Sequence, residues 1–150
     1  KAPYTEYATN DAWDTLIWVF GSDNAAAPTV RHGFDGIFHV PQDYSSNANL
    51  VIVWTSTLTS GDVEWDFEYR AVGGNDTESL DQAGTPESVN AADTAPSAAN
   101  ERMELTISLT DGNFSAGDTV TFGFFRDGAD AGDTLAGSGL LFELFFEYNA

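Results

Sequence analysis

Apolar and polar residues alternate with a period of two along much of the chain. From Val63 to Ala71 every odd position is apolar (Val63, Trp65, Phe67, Tyr69, Ala71) and every even one charged (Glu64, Asp66, Glu68, Arg70). In an extended chain successive side chains point to opposite faces, so this segment predicts a strand with one buried and one wet face. Met103, Leu105, Ile107 and Leu109 alternate in the same way with Arg102, Glu104, Thr106 and Ser108, and Val120, Phe122 and Phe124 repeat the pattern. Leu50–Trp54 and Leu140–Tyr148 are apolar on nearly both faces, the second interrupted by Glu143 and Glu147, and read as central or covered strands. Trp13–Phe20, Gly36–Val40 and a weaker Glu87–Ala91 bring the count to eight. Turn residues separate them at Gly21–Asn24, Pro41–Asp43, Ser60–Asp62, Gly73–Asp76, Asp111–Asn113 and Gly128–Gly132. No window carries a helical apolar stripe. The expected fold is all-β, an eight-stranded antiparallel jelly-roll β-sandwich. The long non-periodic stretch from Gly73 to Asn100 is expected to cross from one sheet to the other.

Extending the alternation to the closing strands places Trp65, Phe67, Tyr69, Leu105, Ile107, Phe122, Phe124, Phe142, Leu144 and Phe146 in the core. In the last strand Leu141 and Phe145 then lie on the face opposite Leu140, Phe142, Leu144 and Phe146. A sandwich strand needs only one buried face, so the second is expected to be covered by the long loop or by another chain. Leu141 and Phe145, extended by Phe34, Phe114, Tyr4 and Tyr7, form the candidate interface.

Length and charge narrow the reading. A chain of 150 residues suits one domain, 1–150, with one core. Five Lys and Arg against 24 Asp and Glu give a net charge of −19, a surface that repels phosphate backbones and anionic lipid, which argues against nucleic-acid and membrane partners. Self-repulsion of that size suits a saline habitat, because about 1 M salt shortens the screening length to about 3 Å. There is no cysteine, and hence neither disulfide nor thiolate metal site.

Candidate chemistry is sparse. With no cysteine, no G-x-S-x-G and only His32 and His39, an activated nucleophile has little to draw on. The carboxylate row Glu64, Asp66, Glu68 has a spacing that glycoside hydrolysis could use, but the wet face of an acidic strand produces the same row. No enzymatic activity is expected. Asp127, Asp130 and Asp133, at i, i+3 and i+6 on a glycine-rich turn, are the candidate calcium ligands and the only cofactor site considered. The competing reading has these acids capping turn amides, one of them paired with Arg126. Four tryptophans raise a sugar-binding alternative, in which Trp13 is the exposed ring and Trp18, Trp54 and Trp65 are core.

Several runs resemble a domain of structural proteins from tailed bacterial and archaeal viruses: Gly61–Trp65 through Tyr69–Ala71, Ser79–Asp81, Ala116–Phe122, Phe125–Leu135, and the closing strand to Glu147–Tyr148. The similarity spans about Gly33 to Tyr148, with Arg126–Leu135 and Val63–Ala71 its most specific pieces. The resemblance implies a non-catalytic jelly roll of head-decoration, head-fibre or tail-fibre type on the virion surface. It also implies association with its own copies, a trimer as first expectation, and with the viral capsid or other virion proteins. A host-surface glycan is the alternative partner. Residues 1–31 lie outside the resemblance and are a candidate anchoring or oligomerisation segment. If charge repulsion limits stability, the melting temperature rises between low salt and about 1 M salt in a thermal scan; a flat or falling curve removes the saline inference.

Overall fold

The computed structural model describes residues 4–9, 14–21, 29–73, 79–81 and 84–150, with residues 4–9 and 14–17 described by their backbone alone. Nine strands are present among the described residues: β1 (Tyr4–Thr9), β2 (Asp14–Phe20), β3 (Arg31–His39), β4 (Ser46–Thr55), β5 (Asp62–Val72), β6 (Glu87–Thr94), β7 (Met103–Ser108), β8 (Thr119–Asp127) and β9 (Gly139–Asn149). They form two antiparallel sheets, ordered β1-β2-β9-β4-β7 and β3-β8-β5-β6. The pairings β2 with β9, β3 with β8, β4 with β7 and β5 with β6 mirror one another about the β5–β6 connection. That is one long antiparallel hairpin rolled into two layers, a jelly roll, which β4·β9 and β5·β8 complete.

The eight expected strands are β2 to β9. The ninth, β1, adds to the free side of β2 and escaped the pattern because Tyr4, Glu6 and Ala8 alternate with Thr5, Tyr7 and Thr9, which marks neither face as apolar. The crossing between sheets is narrower than expected. The chain returns from β5 to its sheet neighbour β6, and residues 95–102 then pass to β7 in the other layer. Within the expected anchoring segment, β2 sits in a sheet and Phe20 is fully buried.

The core follows the alternation closely in β5, where Val63, Trp65, Phe67 and Tyr69 are at most 2% exposed. Trp65 stacks on Phe124 at 5.2 Å between centroids and meets Phe20 and Trp54 edge-on, the offset and T-shaped arrangements that aromatic quadrupoles favour. Leu105, Phe122, Leu144 and Phe146 pack against this cluster but are only partly buried. Entry into β5 needs Gly61, whose φ of +96° is a left-handed conformation and whose Cβ would collide with the Thr134–Leu135 backbone.

β9 departs from the expected alternation. Val53 pairs with Glu143 but Trp54 pairs with Leu141, so Phe142 is an extra residue, a β-bulge that shifts the phase of the side chains by one. Before the bulge Leu141 faces the core, and after it Leu144 and Phe146 do. Phe142 is therefore 41% exposed, not core, and Leu141 is 2% exposed, not interface.

Phe124, with no exposed surface, should cost about 3 to 5 kcal/mol when replaced by Ala, whereas Phe142→Ala should change stability by less than about 0.5 kcal/mol. Urea unfolding of both variants checks the phase shift: similar losses would place Phe142 back in the core.

Candidate functional site: the open side of the sandwich

Residues 128–138 connect β8 to β9, and a buried arginine fixes their course. Arg126 has no exposed surface, and its five N–H donors are all engaged. Nε and Nη2 bind the Asp133 carboxylate at 2.7 and 2.6 Å, Nη1 donates to the carbonyls of Phe20 and Gly137, and Nη2 also donates to that of Leu135. The fork thus fastens the end of β2, the connection and β8 together.

This fork uses Asp133 in a way the calcium expectation did not. Its side chain is fully buried against Arg126, and Oδ2 also accepts from the Glu64 amide. Asp127 accepts from the Ala129 amide and Asp130 from the Gly132 amide. Asp127, Asp130 and Asp133 are therefore the turn-capping and ion-pairing set, and among the described residues no three acids or histidines are grouped to hold a metal ion. Burial pushes the Glu64 carboxyl above its ordinary range, with Asp130, Asp66 and Asp133 adding to the rise.

The carboxylate row on β5 holds a cation as well. Arg31 contacts Asp66 through Nε at 3.0 Å and Glu68 through Nη1 at 2.8 Å, and its guanidinium lies 3.9 Å over the Phe125 ring. That ring is seated flat on the backbone of Gly33 and Gly123, where any Cβ would intrude into it. His39, at the end of β3, faces the Thr119 hydroxyl at 3.3 Å.

The apolar surface that is open lies where β2 leaves β9. Only Trp18, Val19 and Phe20 pair with β9, opposite Leu141, Leu140 and Gly139; the preceding part of β2 pairs with β1. From Phe142 to Asn149, β9 is thus paired on its β4 side alone among the described residues. Beside this edge a cleft of about 370 Å³ opens between the sheets, lined by Ile37, Phe38, Pro41, Leu144, Phe145 and Phe146 among others. Of the apolar residues lining it, Ile37 is 68% and Phe145 37% exposed; Phe142, 41% exposed at the bulge, lies instead beside Trp54, Asn100 and Arg102. Trp18, at 38%, stacks on Phe34 at 4.8 Å, and Phe34 contacts Phe122 in the cleft wall.

Of the expected interface residues, the structure brings only Phe145 to this surface with a side chain in view. Phe34 turns inward among Trp18, Phe20, Phe122 and Phe124, and Phe114 is buried against Tyr69 at 5.1 Å. Tyr4 and Tyr7 are in β1, and their side chains lie outside the described residues. Sequence reasoning missed Phe142 and the exposed part of Trp18, both placed in the core by unbroken alternation. It also missed Ile37, although its position opposite Phe38 in the alternation of β3 was a usable signal. Of the tryptophans considered for sugar stacking, Trp54 and Trp65 are fully buried and Trp13 lies outside the described residues.

No protein-family model matches the chain, and no curated protein matches it. Among solved structures it is similar to the carbohydrate-binding module TmCBM61, solved in complex with β-1,4-galactotriose: 11% identity, TM-score 0.39, covering 89% of this chain and 71% of that one. It is also similar to a chain of infectious bursal disease virus, Gx strain: 9% identity, TM-score 0.37, covering 93% of this chain but 35% of the viral one. At those values neither likeness bears on the role of this chain.

Breaking a buried ion pair from one side strands the other charge, so Arg126→Met should cost about 3 to 5 kcal/mol in urea unfolding. Adding Asp133→Leu to it should recover part of that loss, because no unpaired carboxylate then remains buried. A double variant no better than the single one would assign the loss to the carbonyl contacts instead.

Proposed function

We propose that this chain is a non-catalytic structural subunit of a tailed-virus particle, an exposed capsid-decoration, head-fibre or turret module that acts by attachment and turns over nothing. The observation that carries the reading is the open side of the sandwich, where Ile37 and Phe145 rim a largely apolar cleft next to the part of β9 that, among the described residues, is paired on its β4 side alone. Apolar surface kept exposed beside a bulged strand marks a contact surface more often than a solvent face. The resemblance of Gly33 to Tyr148 to virion modules supplies the particle context. The buried Arg126–Asp133 pair, the Arg31 clamp and the turn caps engage Asp66, Glu68, Asp127, Asp130 and Asp133, five of the six carboxylates singled out from the sequence, in structural contacts.

Phe145→Asp should weaken attachment to the particle by at least about ten-fold while the urea midpoint moves little, since the side chain is already 37% exposed. Co-sedimentation with purified particles in high salt measures the attachment, electron microscopy locates the subunit, and the mass of the free protein gives its oligomeric state. Attachment that tracks only the folded fraction would make this face ordinary core.

A further inference from the structure

Resting on the reading of the open side as a contact surface, we propose that its occupant is an extended, cation-bearing strand of a different protein, added to the free edge of β9 from Phe142 to Asn149. An antiparallel strand directs alternate backbone groups to each side, and those of β9 facing away from β4 are available for a further strand among the described residues. The incoming side chains divide by face. Those on the inner face, opposite Leu144 and Phe146, meet the apolar cleft. Those on the outer face meet Glu143, Phe145 and Glu147, all exposed. The matching segment carries Lys or Arg at two positions four apart, opposite the two glutamates, with apolar residues at the three positions between.

Charge disfavours a second copy in the register that stacks Phe145 on itself. Two β9 edges paired antiparallel so that Phe145 stacks on its copy would set Glu143 directly opposite Glu147 twice, and like charges in that position are destabilising. The chain has few cations to offer elsewhere: of five Lys and Arg, Arg126 is buried on Asp133, Arg31 is held by Asp66 and Glu68, and Arg102 pairs with Glu104. Among the described residues neither Glu143 nor Glu147 has an ion-pair partner; Asn49 approaches Glu147 at 3.4 Å. A partner that brings Lys or Arg complements these two carboxylates.

The probe is the peptide acetyl-Thr-Lys-Val-Tyr-Val-Lys-Thr-amide, compared by fluorescence anisotropy at about 0.15 M salt with a same-composition peptide whose two lysines are adjacent and with a version carrying Glu for Lys. The ordered peptide should bind at least about ten-fold tighter than the rearranged one, and the Glu peptide should not bind. The Glu143→Lys, Glu147→Lys double variant, altered only at exposed positions, should reverse the preference toward the Glu peptide, while Glu87→Lys on β6 should leave it unchanged. Equal affinity for the ordered and rearranged peptides would reduce the effect to general attraction by an acidic surface and overturn the proposal. So would a homodimer that is lost in Phe145→Asp and is not displaced by the ordered peptide. If particles still require Phe145 while the peptides are not discriminated, strand addition fails and the attachment reading stands. If the peptides are discriminated but Phe145→Asp protein stays on particles, strand addition stands and the attachment reading fails.

Discussion

The arrangement of this sandwich depends on one buried cation. A guanidinium with no exposed surface is tolerable only if each donor finds an acceptor, because an unpaired buried charge costs several kcal/mol. Arg126 meets that requirement with the Asp133 carboxylate and the carbonyls of Phe20, Leu135 and Gly137. Those acceptors belong to the last residue of β2 and to the β8–β9 connection, so satisfying the side chain also delivers β9 to its place between β2 and β4. The short β2–β9 ladder from Trp18 to Phe20 begins immediately beside that anchor.

The course of β9 beyond the anchor is set by how far that ladder runs. At Phe142 the strand bulges against β4 and its pairing with β2 stops, so two facing strands diverge over the aromatic interior. Phe38 and Phe146, 5.3 Å apart, form part of the contact between the layers on that side, and the space beside them is the cleft. A single phase shift thus exposes Phe142, keeps Leu141 in the core and leaves Phe145 between two acids at an open edge.

The electrostatics of the surface work in the same direction. Two of the five Lys and Arg are held within the fold's own contacts, Arg126 in the Asp133 fork and Arg31 in the clamp that packs it over Phe125. The remaining surface is strongly acidic, which opposes association between copies and favours partners that carry positive charge. Exposed glutamates beside an unpaired strand edge are also a known guard against edge-to-edge pairing of identical chains.

The sequence by itself determined the all-β class, the existence of β2 to β9 and the inward face of β5, and it offered, beside calcium ligation, the reading of Asp127, Asp130 and Asp133 as caps with a partner in Arg126. Each of these rests on local information: alternation marks a half-buried strand, and short polar side chains in a glycine-rich turn bond their own amides. Tertiary structure alone decided the bulge at Phe142, the inward turn of Phe34 and Phe114, the exposure of Trp18, and the point where β2 leaves β9. The physical reason is that period-two patterning is carried forward one residue at a time, so one extra residue reverses every assignment on one side of it. Whether such a residue is present depends on pairing with strands distant in sequence, here Val53 and Trp54 against Glu143 and Leu141, and no local window contains both partners.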